Sequence, residues 1–334
     1  MDLQNCSGCA VHGLGMNKAV ALALGAMPPR IGSRLGEQGR RGGMWTALRM
    51  TELVELRHAT ARMLFNEVDH IIAVCDWVRE VLLRNGVSRE KITLCRQGLT
   101  QEISKLKAEV RNTQNENPEP EVRIQKSENG RQKASYSPSL LSDSAFKKIV
   151  RLCFFGRFDP TKGLHVLLRA LLSIRNAPLQ LDIYGIAQTG AGESYERRLK
   201  GHSSGDPRVS FLPPVPSERV VTTLAKYDLL AVPSQCLETG PLVVLEAFAA
   251  EVPVLGSRLG GIAELVRDGI DGILVESTSV QAWVDALQKA VTDRSSLSRM
   301  KANIRFPRTM SVVVDEMVAV YETSTMRNAP ANVV

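Results

Sequence analysis

The stretch IVRLCFFGRFDPTKGLHVLLRALLSI, residues 149–174, contains the pattern that decides the fold. The apolar run from Ile149 to Phe155 has the length of a buried strand, and an amphipathic helix is predicted from Gly163 to Ile174. The same alternation of strand and helix recurs further along the chain. More strands are predicted at Leu179–Tyr184, Val209–Leu212, Leu229–Val232, Val254–Gly256 and Gly272–Val275, and more helices at Ser194–Gly201, Ser217–Lys226, Pro241–Ala250, Ile262–Arg267 and Val280–Thr292. Repeated strand–helix units predict an α/β fold with one complete doubly wound, Rossmann-type C-terminal domain, whose ligands bind beyond the carboxyl ends of its strands.

The chain before this domain has a weaker pattern. Thr51–Asn66 and Trp77–Asn85 are predicted helices, and Ile71–Val74 and Ile92–Leu94 are predicted strands. These elements make about two βα units, so we expect a partial N-terminal Rossmann-type domain whose beginning is missing. The predicted organisation is a poorly structured N-terminal segment at 1–50, a domain remnant at 51–100, a disordered linker or insertion at 101–147, the complete domain at 148–325 and a flexible tail at 326–334.

Composition places the chain among globular proteins. Its 334 residues include 44% hydrophobic and 23% charged residues, which excludes collagen-like, wholly disordered and coiled-coil proteins. The formal net charge of +7 is spread along the chain, so nucleic acid binding is not expected, and an anionic small molecule or a membrane surface fits better. The segment Arg30–Arg41 is rich in Arg and Gly but lacks aromatic residues for base stacking. The best apolar run, Ala19–Met27, is about half the length of a spanning helix, which predicts a soluble or peripheral protein.

Six cysteines are distributed through the sequence, several of them in apolar runs. This usage is typical of buried reduced thiols and favours a cytoplasmic location. Cys6, Cys9 and His12 could form half of a zinc site, but no second ligand pair completes four ligands. We therefore expect no metal site.

The loop FFGRFDPTKG, from Phe154 to Gly163, brings cations to the end of a predicted strand. Gly156 ends the strand, Arg157 follows at once, and Lys162 lies where the next helix begins. A fork-shaped guanidinium, an ammonium group and a helix N-terminus suit a diphosphate. The alternative is that both cations are ordinary solvated surface residues.

The second chemical motif is PSQCLETGPLVVLEAFA, from Pro233 to Ala249. Glu238 follows a predicted strand, and Pro241 is placed to open the next helix. Glu246 lies eight residues after Glu238 within an apolar helix, where an unpaired carboxylate is costly and the hydroxyls of a sugar or ribose would be suitable partners. The alternative is an ordinary helix with one acidic residue at its mouth and another on its exposed face.

Together these residues resemble the retaining, GT-B-fold glycosyltransferases of family 4, also called group 1. The resemblance is weak over Asp69–Gly98 and strong from Ile149 to about Tyr321. It rests on the GRFDPTKG loop, on the pair Glu238 and Glu246, and on the stretch GGIAELVRDGIDGILV, residues 260–275. It implies a GT-B-like fold with a truncated N-terminal domain and with the nucleotide-sugar site in residues 148–325.

The resemblance also implies a role for each motif residue. Arg157 and Lys162 would bind the donor diphosphate, Glu246 the ribose hydroxyls and Glu238 the transferred sugar. The implied catalytic residues are Glu238, Arg157 and Lys162, and the implied donor-binding residues are Gly156, Arg157, Lys162, Glu238, Leu242, Val243 and Glu246. The implied reaction moves a sugar from a UDP-, GDP- or ADP-sugar to a saccharide or lipid-linked acceptor, with retention at the anomeric carbon and with neither metal nor cofactor. Two fixed cations and a helix dipole can neutralise a leaving diphosphate without a metal.

The chain departs from the family pattern at several positions. Glu251 stands where a glycine usually ends the helix, at a cost on the order of 1 kcal/mol. Pro213 and Pro214 replace the usual turn near the nucleotide base. Because most of the acceptor-side domain is absent, a non-catalytic nucleotide-sugar-binding module is the alternative, and another chain could supply the acceptor side. Relatives that act on lipid-linked acceptors also suggest peripheral membrane contact.

Overall fold

The structure, a computed structural model, describes residues 2–37, 42–100, 110 and 149–328. The chain divides into two compact units. The first comprises Met1–Ala73, Val78–Leu94 and Glu322–Val334, and the second comprises Val74–Trp77 and Cys95–Tyr321. The predicted linker at 101–147 lies outside the described residues except for Val110, and so do residues 329–334 of the predicted tail.

The first unit begins with helices. They are α1 (Leu3–Gly13), α2 (Lys18–Gly25), α3 (Pro29–Glu37), α4 (Gly43–Leu48) and α5 (Met50–Glu67). The prediction of a poorly structured segment at 1–50 is therefore wrong for its described residues. Side-chain caps stabilise the first two helices despite the glycine content of the segment. Asp2 accepts a hydrogen bond from the Asn5 N–H at 3.0 Å, and Asn17 accepts one from the Val20 N–H at 2.9 Å. Apolar side chains from α1, α2 and α4 then pack together.

The βα pattern predicted after residue 51 is present. Strands β1 (Ile71–Ala73) and β2 (Ile92–Leu94) pair in parallel, and helix α6 (Asp76–Arg84) lies between them in the chain. The first two residues of α6 belong to the second unit.

The second unit is built on a six-stranded parallel sheet. Its strands are β3 (Val150–Arg157), β4 (Leu179–Ile186), β5 (Val209–Leu212), β6 (Leu229–Val232), β7 (Val254–Ser257) and β8 (Gly272–Val275), in the order β5-β4-β3-β6-β7-β8. Every strand lies where the sequence predicts it to within about two residues at either end, the usual uncertainty of boundaries. The predicted α/β class and doubly wound sheet are confirmed.

Helices cover both faces of this sheet. They are α7 (Leu164–Ser173), α8 (Gly190–His202), α9 (Val220–Leu224), α10 (Leu242–Ala249), α11 (Gly260–Leu265), α12 (Val280–Thr292) and α13 (Arg294–Asn303). Helix α14 (Met310–Asn328) follows them in the chain. Alternate residues of β3 face opposite sides: Leu152 packs in the cluster with α7 and α12, whereas Cys153 packs in the cluster with α9 and α10. Sequence patterning did not predict α13 or α14.

All six cysteines are free thiols. Cys6 and Cys9 are exposed on α1, and the described residues contain no group of three or more His, Cys, Asp or Glu side chains that could hold a metal ion. In the same part of the chain, no helix combines the length and the apolar character that crossing a membrane requires.

Candidate functional site

The order of the strands creates a crevice at one edge of the sheet. The chain runs outward from β3 to β4 and β5, and then returns to place β6 on the other side of β3, with Leu152 beside Leu229. At such a reversal the loops that leave neighbouring strands diverge and open a binding crevice at the carboxyl edge. The loop after β3 contains Lys162, and the loop after β6 contains Glu238.

Lys162 and Glu238 meet in this crevice. The Lys162 Nζ atom lies 2.6 Å from Glu238 Oε1, and both side chains are largely buried. Ser234 Oγ donates a second hydrogen bond to the same carboxylate oxygen at 2.7 Å. The structure therefore brings together one predicted cation and one predicted carboxylate, and adds a hydroxyl that the motif did not identify.

Main-chain contacts fix the two loops against each other. The Gln235 N–H donates to the Thr161 carbonyl oxygen at 2.6 Å. Gly163 adopts a φ of +70°, and a Cβ atom there would lie 1.7 Å from the Pro233 carbonyl oxygen, so only glycine fits. Asp159 accepts hydrogen bonds from the N–H and hydroxyl of Thr161, and these bonds lower the pKa of the Asp159 carboxyl. The loop that carries Lys162 is thus held at both ends.

Arg157 takes a different direction from Lys162. It is the last residue of β3, it is exposed, and its guanidinium donates to Gln188 Oε1 at 3.3 Å. Gly156, beside it, pairs with Gly185 of β4 at the same edge of the sheet. Among the described residues, Arg157 forms no ion pair, so its charge is available to an anion at the crevice.

Helix α10 supplies the remaining predicted residues. Its first residues are Leu242, which is 50% exposed, and Val243, with Pro241 as the N-cap. The prediction made Pro241 the first residue of this helix, whereas in the structure Pro241 lies one position before the first helical residue. Glu246 lies one turn further along the helix. Its carboxylate makes no hydrogen bond to the part of the chain that the structure describes, and burial raises the pKa of this carboxyl to about 6. The predicted partially buried carboxylate is present, and it does not contact Lys162 or Glu238.

The main chain at Glu238 is held by residues distant in sequence. Its carbonyl oxygen accepts hydrogen bonds from the Gly261 N–H at 2.7 Å and from the Trp77 indole N–H at 2.8 Å. Gly260 has a φ of +51°, and its Cβ position lies 3.0 Å from the Glu238 main chain, which explains the glycine pair that opens GGIAELV. Sequence analysis did not identify Trp77, because no local pattern links positions 161 residues apart.

Comparison with known proteins finds one family with a similar sequence. Residues 143–305 match the family described as glycosyl transferases group 1. The D-inositol 3-phosphate glycosyltransferase of Nocardia farcinica is 37% identical over 155 residues, which cover 45% of this chain and 34% of that protein. The corresponding protein of Mycolicibacterium smegmatis is 34% identical over 178 residues, covering 52% and 40%. The chain thus spans between a third and two fifths of the length of these curated relatives.

Solved structures share the fold at low sequence identity. HepE of Anabaena in complex with UDP has a TM-score of 0.60 at 17% identity, over 83% of this chain and 68% of that one. A glycosyltransferase from Rickettsia africae has a TM-score of 0.58 at 12% identity, over 89% and 80%. These similarities confirm the GT-B-like fold class that the sequence motifs implied.

Proposed function

We propose that the chain binds a nucleotide sugar at the crevice between the β3 and β6 loops and transfers its sugar to a saccharide or lipid-linked acceptor, with retention of configuration. The match of residues 143–305 to the glycosyl transferases group 1 family supports this proposal. The observation that carries this proposal is the contact of 2.6 Å between Lys162 and Glu238. The two residues come from separate crossovers and bring a cation for a phosphate and a carboxylate for sugar hydroxyls to one point.

Each motif residue has a defined task in this proposal. Lys162 and Arg157 bind the diphosphate and neutralise the charge that develops on it, and the amides of Leu242 and Val243 at the mouth of α10 contact a phosphate oxygen. Gly156 lets the main chain at the end of β3 approach the diphosphate closely. Glu238 contacts the transferred sugar.

Glu246 binds the ribose hydroxyls in its ionised form. The bond between the anomeric carbon and the diphosphate oxygen breaks with its electron pair on the diphosphate. The acceptor hydroxyl oxygen bonds to that carbon, and its proton passes to the departing diphosphate oxygen. UDP-sugars are the first donors to test, because the structural neighbour HepE was solved with UDP and with UDP-glucose. We further propose that this chemistry takes place in the cytoplasm.

A nucleotide-sugar-binding module without its own acceptor site is the second candidate. It is favoured by the small size of the β1–β2 sheet, the only sheet that the described residues form in the first unit. Both candidate functions are compatible with an acceptor side that another chain supplies. Both are also compatible with contact to a membrane that holds a lipid-linked acceptor.

Calorimetric titration with UDP-, GDP- and ADP-glucose in the presence of EDTA tests the donor site. We expect one of them to bind, and the Arg157→Ala, Lys162→Ala double variant to bind it at least about a hundredfold more weakly, since two charge-assisted contacts are lost. The matched control is Arg299→Ala, Lys301→Ala on α13, where Arg299 is 66% exposed. Equal binding by the double variant and the wild type would contradict the donor site.

Transfer to methanol distinguishes the enzyme from the binding module. A retaining transferase converts UDP-glucose, an α-linked donor, to methyl α-glucoside, which does not mutarotate and is identified by NMR. A binding module retains UDP-glucose affinity and yields no glucoside. Formation of methyl β-glucoside would contradict retention.

A further inference from the structure

The Glu238 carbonyl oxygen is a junction of three chain segments. Gly261 donates its main-chain N–H to this oxygen at 2.7 Å, and Trp77 donates its indole N–H at 2.8 Å. Trp77 and Gly261 both belong to the same compact unit as Glu238. With both hydrogen bonds made, the peptide plane after Glu238 has little freedom to rotate, which restricts the main-chain position from which the Glu238 side chain extends.

Trp77 is itself held by a carboxylate. Both oxygens of Glu264 accept main-chain N–H groups, from Asp76 at 2.7 Å and from Trp77 at 2.8 Å. Arg96 lies 3.2 Å from Glu264 and also pairs with Asp76. Charge-assisted hydrogen bonds of this kind are short and about twice as strong as neutral ones. Glu264 is therefore a rigid support from which the indole reaches Glu238.

Trp77 and Glu264 act on Glu238, the residue that pairs with Lys162. The side chain of Glu238 contacts Lys162 and Ser234, while its main chain contacts Trp77 and Gly261. In group transfer, a displacement of about 1 Å at a reacting group costs about a hundredfold in rate. A hydrogen bond that fixes the Glu238 peptide is thus in a position to influence the rate without touching the substrate.

We propose that Trp77 is a positioning residue for Glu238 and that Glu264 holds Trp77 in place. The role in transfer rests on the proposed function, whereas the ordering of the Glu238 main chain does not. Trp77→Phe keeps the aromatic ring and removes the N–H donor, so it isolates the hydrogen bond. Glu264→Gln keeps the side-chain shape and removes the charge, which loosens Trp77 from the other side.

Hydrogen–deuterium exchange measures the ordering directly, in the absence of nucleotide. In Trp77→Phe we expect the amides of residues 236–240 and of Gly261 to exchange about fivefold faster, as the loss of one hydrogen bond predicts, and Glu264→Gln to change the same amides. The matched control is Trp283→Phe. Trp283 is fully buried on α12, and its indole N–H has no hydrogen-bond partner in the described structure, so this variant loses stability without selective exchange at 236–240.

Kinetics with UDP-glucose then test the role in transfer. We expect the turnover number of Trp77→Phe to fall about tenfold or more, while the affinity for UDP, which lacks the sugar, changes less than about twofold. Unchanged exchange at 236–240 in both variants overturns the positioning role and leaves the donor site intact. If the exchange becomes faster in the variants but the wild type binds none of the nucleotide sugars, the role in transfer and the proposed function are both overturned.

Discussion

Lys162 Nζ and Glu238 Oε1 lie 2.6 Å apart although 76 positions separate the residues in the chain. The pair forms because β6 returns to the side of β3, so the two following loops leave the sheet next to each other. Ser234, at the start of the second loop, donates to the same oxygen. A cation, a carboxylate and a hydroxyl are thus assembled before any ligand arrives.

Replacing Lys162 with alanine should weaken donor binding by about ten- to a hundredfold, because one charge-assisted contact to the diphosphate is lost. Calorimetry with UDP-glucose measures the change. Lys200→Ala is the control, since Lys200 also pairs with a glutamate, Glu196 at 2.7 Å, but on the exposed surface of α8. Equal losses in the two variants would mean that overall charge, and not the crevice, determines binding.

Glu246 should make stability depend on pH. Burial raises its pKa from 4.5 to about 6, so between these values the folded protein retains a proton that the unfolded chain has released. The free energy of unfolding therefore falls as the pH rises from 4.5 to about 6, and stays lower above. Urea titration should find Glu246→Gln more stable than the wild type by about 1–2 kcal/mol near pH 8 and equally stable near pH 4, once solvent screening is allowed for. A difference that is the same at both pH values would exclude titration of Glu246.

The same carboxyl group should make donor binding depend on pH in the opposite direction. Only the ionised Glu246 accepts hydrogen bonds from both ribose hydroxyls with full charge, so affinity for UDP-glucose should rise with pH through about 6. UDP-glucose is the suitable probe because its diphosphate is a diester without a proton to lose in this range. In Glu246→Gln the affinity should be low and independent of pH. A profile that persists in this variant would assign the titration to another group.

Replacing Glu251 with glycine should stabilise the protein. Glu251 follows α10 with a φ of +57° and is the only non-glycine residue with positive φ among those that the structure describes. Relief of this strain, less the added freedom of the unfolded chain, should raise the free energy of unfolding by about 0.5–1 kcal/mol. Glu251→Ala keeps the Cβ atom and should give no gain, and an equal gain from alanine would point to the lost carboxylate instead.

Gly163→Ala and Gly201→Ala should have opposite effects. At Gly163 the added Cβ atom meets the Pro233 carbonyl oxygen at 1.7 Å, so the two loops of the crevice must separate. We expect a loss of at least about 2 kcal/mol in unfolding free energy and a loss of UDP-glucose binding. Gly201 lies in α8 with nothing within 4 Å of its Cβ position, and alanine there should add about 0.5–1 kcal/mol. A neutral Gly163→Ala would show that the loops are not in contact.

Local sequence patterns predicted the sheet, but they did not predict Trp77 and Glu264, which hold the main chain of the site in place. Periodicity and strand-length runs located β3–β8, and the spacing of Arg157, Lys162, Glu238 and Glu246 indicated the crevice. Trp77 and Glu264 escaped prediction because their contacts join positions 161 and 187 residues apart. The helices before residue 50 were not predicted for a different reason: Asp2 and Asn17 cap short helices whose glycines are unfavourable when counted alone.

The position of β6 beside β3 has a consequence for how the chain is made. During synthesis the first three strands of the sheet leave the ribosome before the residues that complete the crevice, so an early fragment contains the lysine without its glutamate. If the crevice holds a nucleotide as proposed, a cellular nucleotide cannot stabilise that fragment through the complete site. Ligand-assisted folding would then begin only after the Glu238 loop and α10 have emerged.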